Sequence, residues 1–187
     1  LGDGEPDAYV LELSSFQLET TTSLAPAAAV VLNISADHLD RYPDIDAYVA
    51  AKQGIYRHAG LQVVNLDDPV AAGLAAADRP QLGFSRRPPA AGDYGVRRVD
   101  GADWLACGDT PLLPVADIGL VGRHNVANAL AALALGAAIG LPIEYMVAAL
   151  REFRGLPHRG MHVIGTLHRQ HPAEQRLELG GRGTEHD

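Results

Sequence analysis

The chain has 187 residues, 47% of them hydrophobic, and a formal net charge of −8. This length suits one domain, or one with a small appendage, and the apolar share is enough for a buried core. The acidic balance argues against nucleic acid as a main partner, since binding phosphates needs a basic face, and no apolar run reaches the roughly 18 residues that span a bilayer.

In chain order, the opening LGDGEPDAYV has no basic start and no apolar signal core, so nothing marks it for secretion. It does not begin with Met and reads as a cut or processed end. Ala8–Leu13 reads as a short buried strand. Glu12 still belongs to that apolar pattern, and a buried carboxylate needs a partner or a metal. Ser14, Ser15 and Gln17 follow at once, where residues 15–24 take on helical spacing. Residues 28–34, AAVVLNI, form a second buried strand. It runs into NISADHLDRY, which presents Asn33, Asp37, His38, Asp40 and Arg41. Adjacent parallel strands would bring these two polar clusters together beyond their carboxyl ends, where such sheets bind ligands. Capping accounts for part of this polarity, because Ser and Asp are good helix N-caps.

Residues 46–59 carry Ala47, Ala50, Ala51, Ile55 and Ala59 at helical spacing, with Gly60 as a stop. Lys52 lies within, and it is the only lysine among fifteen Lys and Arg residues. On spacing alone it is a snorkelling side chain on a helix face. Unlike Arg, however, Lys can be deprotonated and attack carbon dioxide. Residues 61–66 form a third strand ending in NLDD, and Pro69 sits at the start of a helix, its preferred place. Gln81–Phe84 is a fourth strand. Strands alternating with helices predict an α/β fold with a mainly parallel sheet and flanking helices.

The pattern changes over residues 93–117, where short apolar pieces broken by Gly, Asp and Pro predict a small antiparallel β region. Cys107, the only cysteine, forms no internal disulfide and reads as a packing residue, which suits a reducing cytoplasm. Residues 124–140 are a strong Ala- and Leu-rich helix, opening with His124, Asn125 and Asn128. The two amides are three apart and share a face. Side by side they can read the donor and acceptor edge of an adenine; equally, an Asn can cap the helix. Residues 144–153 form another helix behind Pro142, and GLPHR then offers Arg159, a natural phosphate partner. Residues 160–187 hold four of the eight histidines and little apolar periodicity, and read as a disordered tail. Those histidines lack a metal-finger spacing. No G-x-x-x-x-G-K-[ST] occurs, which excludes a self-contained ATPase of that class for the chain as it stands.

ELSSFQLE, LNISADHLDRY, AAKQGIY, VVNLDD, GRHNVANALAALALG and FRGLPHR stand in an order and at a spacing that resembles the central ATP-binding domain of the Mur ligases of peptidoglycan synthesis. SSFQLE is similar to the branch that adds D-glutamate to UDP-N-acetylmuramoyl-L-alanine, since the sister ligases carry other residues there. The resemblance covers residues 7–159 and implies the P-loop-type α/β domain of a three-domain cytoplasmic enzyme, without its P-loop segment. It implies that ATP phosphorylates the substrate carboxylate, that the amine of D-glutamate displaces the phosphate, and that magnesium offsets the charge. By the same resemblance Glu12 matches a metal-binding glutamate. His38 matches a histidine at the second metal and the substrate carboxylate, although magnesium prefers oxygen. Lys52 matches a lysine that carbon dioxide carbamylates, and the carbamate helps to position that second ion. Ser14 and Gln17 match the muramoyl-alanine side, Asn125 and Asn128 with His124 the adenine readers, and Arg159 a nucleotide contact.

The sequence departs from that family in three places. It starts after the phosphate loop and the uridine-nucleotide domain, it lacks the C-terminal domain that holds the glutamate, and after GLPHR it has no Asp-Ser-Lys motif. The text from residue 160 on reads like a shifted frame, and the chain alone is expected to be inactive. A non-catalytic remnant binding adenine nucleotide weakly, or a related ligase using L-glutamate, are the alternative readings.

Overall fold

The computed structural model describes residues 6–35, 41–120, 122–155 and, for its backbone, 163–168. Ala8–Leu13 (β1) leads into Ser15–Thr20 (α1), and Ala28–Val31 (β2) follows. Asp44 caps Ile45–Gln53 (α2), which tightens into a 3-10 turn at Gly54–Tyr56 before Leu61–Asn65 (β3). Asp68 caps Pro69–Ala72 (α3), and Gln81–Phe84 (β4) comes next. Tyr94–Val99 (β5), Ala102–Cys107 (β6) and Thr110–Pro114 (β7) form an antiparallel meander. Arg123–Ala138 (α4), Ile143–Glu152 (α5) and Val163–His168 (β8) complete the described elements.

All eight strands belong to one sheet in the order β1-β8-β2-β3-β4-β5-β6-β7. β2, β3 and β4 are parallel, and β5 joins β4 through the pair Phe84 and Tyr94. The α/β sheet and the antiparallel region at 93–117 are thus both present, the second as an extension of the first.

Local chemistry sets the element ends. The helix expected over 15–24 stops at Thr20, because the hydroxyls of Thr20 and Thr21 donate to the Gln17 carbonyl at 3.2 and 2.6 Å. Such side-chain bonds compete with the helix ladder. β2 is buried on both faces, and its side chains alternate between two cores. Ala28 and Val30 face Leu130, Leu133 and Ala134 of α4, while Ala29 and Val31 face Leu18, Ile55, Tyr56 and Ala71. α1 and α2 therefore lie on one side of the sheet and α4 with α5 on the other.

Two expectations need correction. β1 and β2 are not neighbours: β8 lies between them, antiparallel to both, with Glu12 and Val30 each opposite Ile164. β1 and β2 still point the same way, but their ends stand two strand spacings apart, roughly 10 Å. The stretch VIGTLH has strand composition, which the polar average of residues 160–187 hides; the rest of that stretch lies outside the described residues. Nor is β1 buried. Among the described residues it is the last strand of the sheet on that side, and Tyr9 and Val10 are 53% and 71% exposed.

Gly95 of β5 is a position where only glycine fits. A methyl group there would run into the Arg87 carbonyl oxygen and the Pro89 ring. That approach is held by the Val96 N–H, which donates to the Arg87 carbonyl at 3.0 Å. Gly95→Ala is expected to cost about 1–3 kcal/mol by overpacking. The check is a lower urea midpoint with an unchanged m-value.

Candidate functional site

Glu12 stands exposed near the carboxyl end of β1. The argument that its charge is buried and needs a partner therefore does not hold.

Ser14 and Gln17 close a capping box on α1. Gln17 N–H donates to Ser14 Oγ at 3.3 Å, and Gln17 Oε1 accepts from Ser14 N–H at 2.9 Å and from Ser14 Oγ at 3.0 Å. This satisfies donors that a helix start leaves unpaired. The serine and glutamine thus have a structural task at the place where the sequence suggested a substrate contact.

The polar end of β3 is scaffolding as well. Asn65 Nδ2 donates to the Leu32 carbonyl at 2.7 Å, and the Ile34 N–H donates to Asp68 Oδ2 at 2.8 Å. Both bonds hold the chain that leaves β2. The other Asp68 oxygen accepts from Val70 and Ala71 N–H at 3.0 Å each, capping α3. Asp67 grips the chain after β4, accepting from Arg86 N–H at 2.8 Å and Arg86 Nε at 3.0 Å, with Arg87 Nε at 3.5 Å. Partial burial pushes its carboxyl up, but these donors and charges outweigh that and hold it below the usual carboxylate range.

Lys52 is not a snorkelling residue. It is only 8% exposed, in the last turn of α2, with Nζ 5.1 Å from the centre of the Tyr48 ring. Burying an ammonium is costly, and an aromatic face offsets part of that cost. The Tyr48 ring meets Tyr42 edge-on at 5.4 Å, and Tyr42 stacks on Phe16 at 5.8 Å with the planes 8° apart. The Arg41 guanidinium lies 4.0 Å over the other ring of this stack, Phe16. Sequence reading missed this cluster. Its one visible signal was the spacing of Tyr48 and Lys52, four apart on one helix.

α4 opens on Gly122, at φ 115°, with no side-chain cap. Neither Asn therefore caps the helix. Asn125 is buried at 6% exposure, Asn128 is half-buried and His124 is exposed. These three belong to the layer opposite α1 and α2, so the expected adenine readers and Lys52 reach any common ligand from different faces of the sheet. His38 and Arg159 lie outside the described residues. Among the described residues no three His, Cys, Asp or Glu side chains gather as a metal cluster, and no helix is long and apolar enough to cross a membrane.

Comparison with known proteins places this arrangement. The Mur ligase middle domain matches residues 1–136. The UDP-N-acetylmuramoylalanine–D-glutamate ligase of Nitrosococcus oceani is 56% identical over 154 residues, 82% of this chain and 34% of that protein. The ligase of the same name from Nitrosospira multiformis is 54% identical over 157 residues, 82% of this chain and 33% of that protein. The chain spans about a third of the length of the curated relatives it matches. Among solved structures, MurF from Acinetobacter baumannii is 27% identical with a TM-score of 0.52, over 70% of this chain and 30% of that one. A match over most of the chain, on a sheet of the same kind, makes this chain a member of the Mur ligase family, with residues 1–136 in its middle domain.

Proposed function

We propose that the chain is the ATP-binding part of a cytoplasmic ligase that joins D-glutamate to UDP-N-acetylmuramoyl-L-alanine. The observation that carries this is the 56% identity to a relative of that name. In this reading the γ-phosphoryl group of ATP passes to the carboxylate of the muramoyl-alanine. The amine of D-glutamate attacks the acyl phosphate, an amide forms, and phosphate leaves with the bonding electron pair.

Glu12 supports a magnesium site, being a solvent-facing oxygen donor, the type that ion prefers. It would hold one ion, and His38 would stand at a second. Bound magnesium would offset the charge that builds up in phosphoryl transfer. The Lys52 ammonium would first give a proton to solvent; the neutral amine would then attack the carbon of carbon dioxide and lose a second proton, turning a cation into a carboxylate-like anion that would help to hold the second ion. The capping box uses Gln17 Oε1 and leaves Nε2 as the donor for a muramoyl-alanine oxygen, with Ser14 beside it. Asn125 and Asn128, with His124, would read the adenine, and Arg159 would hold a phosphate.

The test uses the protein encoded by the whole gene that contains this sequence. Phosphate release from ATP is expected to require both UDP-N-acetylmuramoyl-L-alanine and D-glutamate, and to stop when either is left out. Equal turnover with L-glutamate would overturn the choice of amino acid. Nucleotide binding with no turnover at all would favour a remnant.

A further inference from the structure

We propose that Tyr42 is a positioning residue that seats Lys52 on the ring of Tyr48. Arg41, Phe16, Tyr42, Tyr48 and Lys52 form one continuous stack, cation to ring to ring to ring to cation. Three chain segments meet in it. Phe16 comes from α1, just after Glu12; Arg41 and Tyr42 come from the segment just after His38; Tyr48 and Lys52 come from α2. The stack thus fixes the mutual spacing of the three segments that carry the proposed chemistry.

Tyr42 is the central piece, touching a ring on each side. It is 8% exposed, with its hydroxyl beside the side chains of Ser15 and Glu19. Ring contacts hold it on two sides. Its edge contact bears on the Tyr48 ring, whose face meets Lys52. Ring pairs at such separations favour a few geometries, so loss of one ring loosens the next. The role given to Tyr42 rests on reading Lys52 as the reacting lysine, but the geometry is measurable without it.

Lys52 is the only lysine of these 187 residues, and in protein labelled with carbon-13 at lysine Cε its signal is the one that Lys52→Arg removes. In the wild type the Cε protons should lie upfield from the ring current of Tyr48. Tyr42→Phe should keep that displacement, since the stack survives. Tyr42→Leu should move the signal toward the free-lysine position and speed reductive methylation of Lys52 by about tenfold, the scale of a desolvated cation–ring contact. Phe16→Leu should shift it the same way, and carries the test if Tyr42→Leu does not fold. A folded Tyr42→Leu with the wild-type signal and methylation rate overturns the proposal. So does a Tyr42→Phe that behaves like Tyr42→Leu. Failure of the carbamate reading would show differently, as no response of the wild-type signal to bicarbonate.

Discussion

Tyr56→Phe is expected to destabilise the protein by about 2–4 kcal/mol, although it removes a single oxygen. The Tyr56 side chain is 4% exposed, and its hydroxyl sits between two parallel strands. It accepts from the Val31 N–H of β2 at 2.9 Å and donates to the Val63 carbonyl of β3 at 2.8 Å. Both valines are fully buried. Phe would fill the space but leave a donor and an acceptor without partners, each costing about 1–3 kcal/mol. Urea unfolding should show a lower midpoint at constant m-value. An unchanged midpoint would mean that the strands re-pair without the bridge. The same burial pushes the phenol to about 12, the Val31 N–H pulling weakly the other way. A folded pKa above the unfolded value of about 10 means that the neutral form is favoured in the fold. Stability is then complete below pH ~10 and is lost as pH rises through about 12, by about 2–3 kcal/mol for this group. Tyr94 is also pushed to about 12, by burial and then by the Cys107 thiol beside it. Tyr56→Phe should therefore weaken the alkaline loss without abolishing it.

The legible parts of this fold are those where one segment carries its own signal. The all-apolar β2 and the β3 run announced buried parallel strands, and Asp68 before Pro69 announced a helix start. The Gln three after Ser14 is equally a capping signature, and the capping box is present. Features made by distant segments were not legible. Nothing in GIYRHAG says that the Tyr56 hydroxyl joins two strands, and nothing local aligns Phe16 with Tyr42. β8 escaped because its strand pattern is shorter than the window over which the tail looks polar. Glu12 escaped for the opposite reason: an apolar pattern does not reveal that a strand lies at the margin of a sheet.

Lys52→Arg in the whole ligase is expected to lower kcat by about 100-fold, the scale seen when a group that orients a metal site is lost. Arg keeps the charge but does not give up its proton, so it cannot form the N–C bond to carbon dioxide. The site is buried beside the Tyr48 ring, and the bulkier guanidinium risks strain there. Lys52→Met is the companion variant, since it matches the stem and removes the amine. Both should fail in the same step for one reason. The direct readout is carbon-13 bicarbonate: the wild type should give a side-chain carbamate signal, and both variants should lack it. A signal that both variants lack belongs to Lys52, whatever other amines the whole ligase carries. Stripping carbon dioxide should slow the wild type, and bicarbonate should restore it, while both variants stay insensitive. If Lys52→Arg turns over like the wild type, Lys52 is a packing residue held on a tyrosine, and the proposal of a carbamate there falls.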